Sequence, residues 1–202
     1  MRKFSLLIAM AALLLTCSAF ADNIVFDLSP SNGTTFRGAD SGPGQGVSVS
    51  TTQTISGFGF FLDMPFGGDL KFMIWNDDNS GLLLTDVRSF SAFGTQQWVY
   101  TDPINFTLNA GHTYWFGVIA DNEEDVGYIF PPINYGANGL TAVTSGNSNY
   151  SSFASPSFAG YASAQIALRI TEGSAVPEPG SIALMGTGVL GLAGLLRRKM
   201  NL

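Results

Sequence analysis

The sequence predicts an all-β fold: an antiparallel β-sandwich of jelly-roll type, flanked by an N-terminal signal helix and a C-terminal transmembrane helix. Three observations predict it. Apolar residues alternate with a period of two along many short runs, clusters of Gly, Pro, Asn and Asp separate those runs, and no stretch between residues 22 and 174 shows a capped apolar stripe with a 3.6-residue period. No sequence repeats at a fixed period, which disfavours a solenoid or propeller.

Residues 1–21 read as a signal peptide. Arg2 and Lys3 are its charged start, Leu6 to Leu15 its apolar run, and Ala19-Phe20-Ala21 its small-x-small cleavage site. The apolar run is shorter than the about 20 residues a membrane span needs, so cleavage is expected before Asp22. Cys17, the chain's one cysteine, lies inside this signal. Thr16 and Leu15 before it depart from the small residue that a lipoprotein signal carries, and the exported part is left without a disulfide.

Residues 22–174 form the predicted sandwich. Strands are expected near residues 24–28, 47–52, 55–62, 70–75, 82–88, 97–101, 104–108, 113–120, 140–144 and 162–171. One face of the 70–75 strand carries Leu70, Phe72 and Ile74. Ala164, Ile166, Leu168 and Ile170 alternate in the same way with Gln165, Ala167 and Arg169. Turns are expected at Asn76-Asp77-Asp78-Asn79-Ser80-Gly81 and at Asn109-Ala110-Gly111-His112, and the Ser/Asn-rich stretch 145–157 reads as a long surface loop. Between residues 22 and 175 there are 14 acidic and 4 basic residues, a net charge of −10. Such a domain repels phosphate backbones, so nucleic acid is not a partner.

The C-terminal stretch has three parts. Residues 175–180 hold a rigid, extended spacer with Pro177-Glu178-Pro179, residues 181–196 form an uncharged transmembrane helix, and residues 197–202 are a basic cytoplasmic tail led by Arg197, Arg198 and Lys199. Sixteen helical residues span about 24 Å, short of the roughly 30 Å hydrocarbon core, which suits a temporary anchor. This order of features resembles the PEP-CTERM protein-sorting signal, over about 27 of the 202 residues. The resemblance implies a Gram-negative, exopolysaccharide-making host and transient anchoring in its inner membrane. It also implies a processing partner, an exosortase (a membrane-embedded cysteine transpeptidase), that reads the tripeptide and removes the helix, leaving the protein at the surface or in the extracellular matrix. The run from Phe106 to Gly117 is similar to an F-x-L-x-A-G-x-x-Y-x-F-G hairpin of exported bacterial β-sandwich domains, which supports the fold and carries no site residues.

Chemistry is sparse. Gly186-Thr187-Gly188-Val189-Leu190-Gly191 matches a dinucleotide-binding pattern but sits in the tail helix, with no acidic residue after it. Asn76, Asp78 and Ser80, followed by Gly81, have the spacing of calcium-loop ligands. Val87 stands where a bidentate Glu belongs, and a second acidic loop, Asp121 to Asp125, could add oxygens if the fold brings it near. His112 is the only histidine, is expected in an exposed turn, and has no mature cysteine or G-x-S-x-G elbow to work with. Paired carboxylates could hydrolyse glycosides, but nothing singles out a pair: Asp77/Asp78 and Glu123/Glu124 are adjacent in sequence, and adjacency is a poor guide to a shared cleft because neighbours on a strand point to opposite faces. Of Trp75, Trp98, Trp115, Tyr100, Tyr114, Tyr128 and Tyr135, most are expected in the core, with two or three left for a surface site. The expected function is a non-catalytic surface or matrix protein. The alternatives are a polysaccharide-binding module and, behind it, a glycan-active enzyme.

Overall fold

The computed structural model describes residues 23–173; the signal peptide, the Pro-Glu-Pro spacer, the transmembrane helix and the basic tail expected from the sequence lie outside the described residues. Every regular element among the described residues is a strand. The first eight are β1 (Asn23–Leu28), β2 (Gly33–Arg37), β3 (Ser41–Val49), β4 (Gln53–Ile55), β5 (Gly57–Met64), β6 (Gly68–Trp75), β7 (Leu82–Phe90) and β8 (Phe93–Tyr100). Then follow β9 (Phe106–Leu108), β10 (Thr113–Ala120), β11 (Glu124–Ile129), β12 (Gly136–Ala137), β13 (Leu140–Ser151), β14 (Ser157–Ala162), β15 (Gln165–Ile166) and β16 (Leu168–Glu172).

They form two seven-stranded antiparallel sheets packed face to face. The first runs β1-β16-β5-β11-β15, with β8 along the other edge of β5 and β2 along the other edge of β11. The second runs β12-β13-β3-β10-β6-β7, with β14 beside β13, and β4 pairs with β9 in a small third sheet. Alternation decides which side chains meet between the sheets. Phe58 and Phe60 come from β5, Leu70, Phe72 and Ile74 from β6, and Tyr114, Phe116, Val118 and Ala120 from β10, all in one core. The intervening residues of β6 and β10, Met73, Trp75, Trp115 and Ile119, join Tyr150 in a second cluster on the other face of the second sheet. Both faces of these strands are thus covered, which explains their nearly unbroken apolar runs.

Four expectations need correction. Residues 145–157 are no long surface loop, because β13 continues to Ser151 and β14 starts at Ser157, the two paired antiparallel. The reason is Tyr150, whose buried ring lies parallel to Trp75 with centroids 5.2 Å apart. That ring also explains the Gly/Pro-rich β3. A Cβ on Gly44 would meet Tyr150 at 2.5 Å, and one on Gly42 would meet the Val118 carbonyl at 1.8 Å, so only glycine lets these layers close. The acidic stretch 121–125 is a loop only at its start, since Glu124 opens β11 and is fully buried. The strands either side of Gly111 do not pair with each other: β9 pairs with β4, and β10 with β3 and β6.

Gln165, expected to face outward, is also buried. Its Oε1 accepts from Ile133 N, and its Nε2 donates to the carbonyls of Ile133 and Val143. Gln45, equally buried, donates to the Val143 carbonyl and accepts from Ile166 N. Two glutamines therefore join the sheets, each with its amide satisfied, as a buried amide requires.

Candidate functional site

The turn between β6 and β7 is built by its own side chains. Asp78 Oδ1 accepts from Ser80 N at 3.0 Å and from Ser80 Oγ at 2.6 Å, and Asn76 Oδ1 accepts from Gly81 N at 2.9 Å. The bonds from Ser80 hold the exposed Asp78 carboxyl below the usual carboxylate range. Asn79, with a φ of 58°, turns its amide inward. It accepts from the Tyr150 hydroxyl at 2.7 Å and donates to Ser148 Oγ, which pins the turn to β13. Burial raises the Tyr150 phenol, so it stays protonated as a donor.

Asp77 faces the start of β10. Its carboxylate accepts from Thr113 N at 2.6 Å and lies 3.1 Å from His112 Nδ1. Asn76, Asp77, Asp78, Leu83, His112 and Tyr114 line a cleft of about 400 Å³ there. The structure thus brings Asn76, Asp78 and Ser80 together in one turn and places the exposed His112 against it. It does not bring the second acidic stretch near. Asp121 follows β10 at its far end, where it accepts from Asp69 N. Eight residues of strand put the two ends about 25 Å apart, so Asp121 to Asp125 can add no oxygen to an ion at the turn.

A second cleft, of about 380 Å³, opens where the edge strand β2, the end of β11 and residues 162–166 meet. Arg37, Tyr128, Phe130, Thr34, Thr35 and Ser163 are among its lining. Arg37 stands opposite Glu124 in the β2–β11 register. The Arg37 Nε and both Glu124 carboxyl oxygens are buried without a hydrogen-bond partner. Burial, with a smaller push from Asp125, lifts the Glu124 carboxyl to about 8 against the pull of Arg37, and burial lowers the Arg37 guanidinium. Sequence reasoning missed Arg37 and named Glu124 only as one of the acids of the 121–125 stretch. The only available signal was an arginine in a polar stretch and one acid among four.

Carboxylates do face each other at one place. Asp63 on β5 and Asp125 on β11 are directly opposite, and burial together with Asp125 raises the Asp63 carboxyl. Neither lines the clefts described above. Among the rings singled out in the sequence, Trp75, Tyr114 and Trp115 are buried, and Trp98, Tyr100, Tyr128 and Tyr135 are half-buried. The well-exposed rings are others: Phe66, Phe130 and Tyr161, at 65%, 55% and 60%.

Residues 175–199 match the PEP-CTERM protein-sorting motif, and Pro177, Glu178, Pro179, Arg197, Arg198 and Lys199 fall within the match, outside the described residues. No curated protein matches the chain. A solved structure of a family 35 carbohydrate-binding module from an environmental isolate is similar at 15% identity, over 63% of this chain and 94% of that one, with a TM-score of 0.35. That likeness is too slight to bear on ligand or site. The chain carries the PEP-CTERM motif, which indicates export to the cell envelope or surface of a Gram-negative bacterium.

Proposed function

We propose that the protein is a non-catalytic surface or extracellular-matrix component, exported through the inner membrane and sorted by its C-terminal motif. Residues 181–196 hold it in that membrane with Arg197, Arg198 and Lys199 on the cytoplasmic side, until an exosortase-type enzyme acts at Pro177-Glu178-Pro179. The motif match at 175–199 carries this reading. Its position fits release, because the last described strand ends at Glu172, ahead of the tripeptide, so cleavage there leaves the described strands whole. The length of the extracellular polypeptide tests it: residues 181–202 are expected to be absent.

Polysaccharide contact is a second reading, favoured by the exposed Phe66, Phe130 and Tyr161 rings, which offer faces for sugars to stack on. A glycan-active enzyme finds less support, because the Asp63/Asp125 pair lines neither described cleft.

Calcium at Asn76, Asp78 and Ser80 belongs to the same proposal as a weak ligand. The turn has three side-chain oxygen donors, two of which already accept backbone bonds, so an affinity in the range of about 10⁻⁴ to 10⁻³ M is the most it would reach. At about 5 mM calcium and a constant of about 0.5 mM, stability would rise by roughly 1.4 kcal/mol, or about 2–6 °C in melting temperature. Melts in calcium, magnesium and chelator, with Asp78→Ala alongside, check this. Coincident wild-type melts would leave Asp78 a turn residue only.

A further inference from the structure

We infer that β7 is a self-association edge: two copies of this chain pair their β7 strands antiparallel about a twofold axis at Val87, so that the second sheet continues from one copy into the other. This goes beyond the sorting reading and holds whether or not the tail is removed.

β7 lacks most of the devices that keep sheet edges apart. It pairs with β6 on one side, and among the described residues no strand pairs with its other side. Several other border strands are short or irregular: β12 and β15 have two residues each, and β1 and β14 pair with shifts of register. β7 has nine residues, with no proline or lysine, and its register with β6 runs unbroken from Leu84 to Phe90. Unpaired backbone donors and acceptors along so long an edge are a template for another strand. Apolar surface lies beside them. Leu84 and Phe90 pack against the core, so the alternate residues face outward, and of these Leu83 and Val87 are each 48% exposed.

The residues of β7 select the partner. When two identical strands pair antiparallel, the residue on the axis decides which side chains meet. With Val87 there, Asp86 meets Arg88 of the second copy, Arg88 meets Asp86, Thr85 meets Ser89, and Leu84 meets Phe90. Opposite charges, hydroxyls and apolar groups each find their like complement, and such cross-strand pairs stabilise a sheet. The neighbouring registers fail. Asp86 on the axis sets two carboxylates together, Arg88 sets two guanidiniums together, and Thr85 leaves both charges opposite leucines. Charges that would discourage an unrelated edge therefore specify this one.

The charged side chains are already held in place. Asp86 Oδ2 accepts from Asp102 N at 2.8 Å, Arg88 Nε lies 3.0 Å from Asp102 Oδ1, and Arg88 Nη1 donates to the Tyr100 carbonyl. That ordering lowers the entropy association would otherwise cost. A guanidinium has more donors than these contacts use, so Arg88 can also serve Asp86 of the second copy. The domain's net charge of −10 opposes the approach of two copies. At about 0.15 M salt that repulsion is screened within about 8 Å, which leaves the contact pairs to decide.

An interface of one strand is small and sits at the weak end of specific association, below about 1,200 Å² of buried surface. The test therefore follows the full chain in detergent by sedimentation equilibrium up to roughly 100 µM, at about 0.15 M salt. A monomer–dimer equilibrium is expected. Val87→Lys, which sets two ammonium groups against each other on the axis, should weaken it at least about tenfold. Disulfide trapping reads the register, with Cys17→Ser in each chain so that only the introduced thiol reacts. Val87→Cys should cross-link under mild oxidation, because residue 87 faces itself. Thr85→Cys should not, because its two copies lie about 13 Å apart along the strands. Both positions are exposed, and melting curves establish that each variant is folded. Should Val87→Lys fail to fold, the cross-linking decides. A chain that stays monomeric, a dimer that Val87→Lys leaves unchanged, or cross-linking through Thr85→Cys equal to or above that through Val87→Cys would overturn the proposal.

Discussion

Glu124→Gln is expected to flatten the pH dependence of stability between about pH 5 and pH 8 and to stabilise the protein at pH 9. The Glu124 carboxyl has an ordinary value of 4.5 and is lifted to about 8 in the fold, chiefly by burial. Between those values the folded chain holds a proton that the unfolded chain has released, so stability falls as pH rises through the window and levels off above about pH 8. A shift of this size corresponds to about 5 kcal/mol at most, and relaxation around the ionised group reduces it. Glutamine keeps the shape and cannot ionise, so the variant should lose this slope and exceed the wild type at pH 9 by a few kcal/mol. Urea unfolding at pH 5, 7 and 9 measures both. Parallel profiles for the two proteins would mean that Glu124 does not ionise in isolation from solvent, and that Arg37 or water already meets its charge.

Phe58→Ala should cost about 3–5 kcal/mol, the range for deleting a fully buried phenylalanine. Phe58 belongs to β5 in the first sheet. Its ring meets Phe72 of β6 and Phe116 of β10 edge-on, at 5.9 and 5.0 Å, so it ties the two sheets together at their centre. Deleting it opens a cavity that both layers line, and aromatic neighbours in fixed geometry collapse poorly into such a space. Tyr161→Ala, on an exposed ring, is the natural control and should cost less than about 1 kcal/mol. A loss under about 1 kcal/mol for Phe58→Ala would contradict a core centred on this ring.

The strands that sequence alone revealed are those whose side chains alternate against the core. The 113–120 strand and the Leu70, Phe72, Ile74 face emerged as expected, because period-two alternation is a direct record of burial. The strands it hid are held by something other than apolar alternation. β3 is a Ser/Gly/Pro tract that pairs because its glycines admit a ring and a carbonyl, and β13 extends through Ser and Asn because Tyr150 anchors it. β2 and β11 are an edge strand and its neighbour, whose register pairs Arg37 with Glu124, and no local pattern reports a pairing 87 residues apart. The candidate sites divide in the same way. The Asn76–Gly81 turn was legible because turn chemistry is local, whereas the Arg37 cleft exists only once distant segments meet. Of the exposed rings, Tyr161 lies in β14, where an aromatic looks alike in sequence whether it faces inward or outward, whereas Phe66 and Phe130 lie between strands, where no alternation reports burial.

The central claim, that the C-terminal tail is a sorting device removed in the mature protein, is met most directly by the intact mass of the protein recovered outside the cell. The account predicts a chain that starts near Asp22 and ends near Pro177-Glu178-Pro179, lacking residues 181–202. With all three motif residues changed to alanine, the tail should stay attached and the protein should remain in the inner membrane. An extracellular wild-type mass that still includes Arg197, Arg198 and Lys199 would contradict the claim.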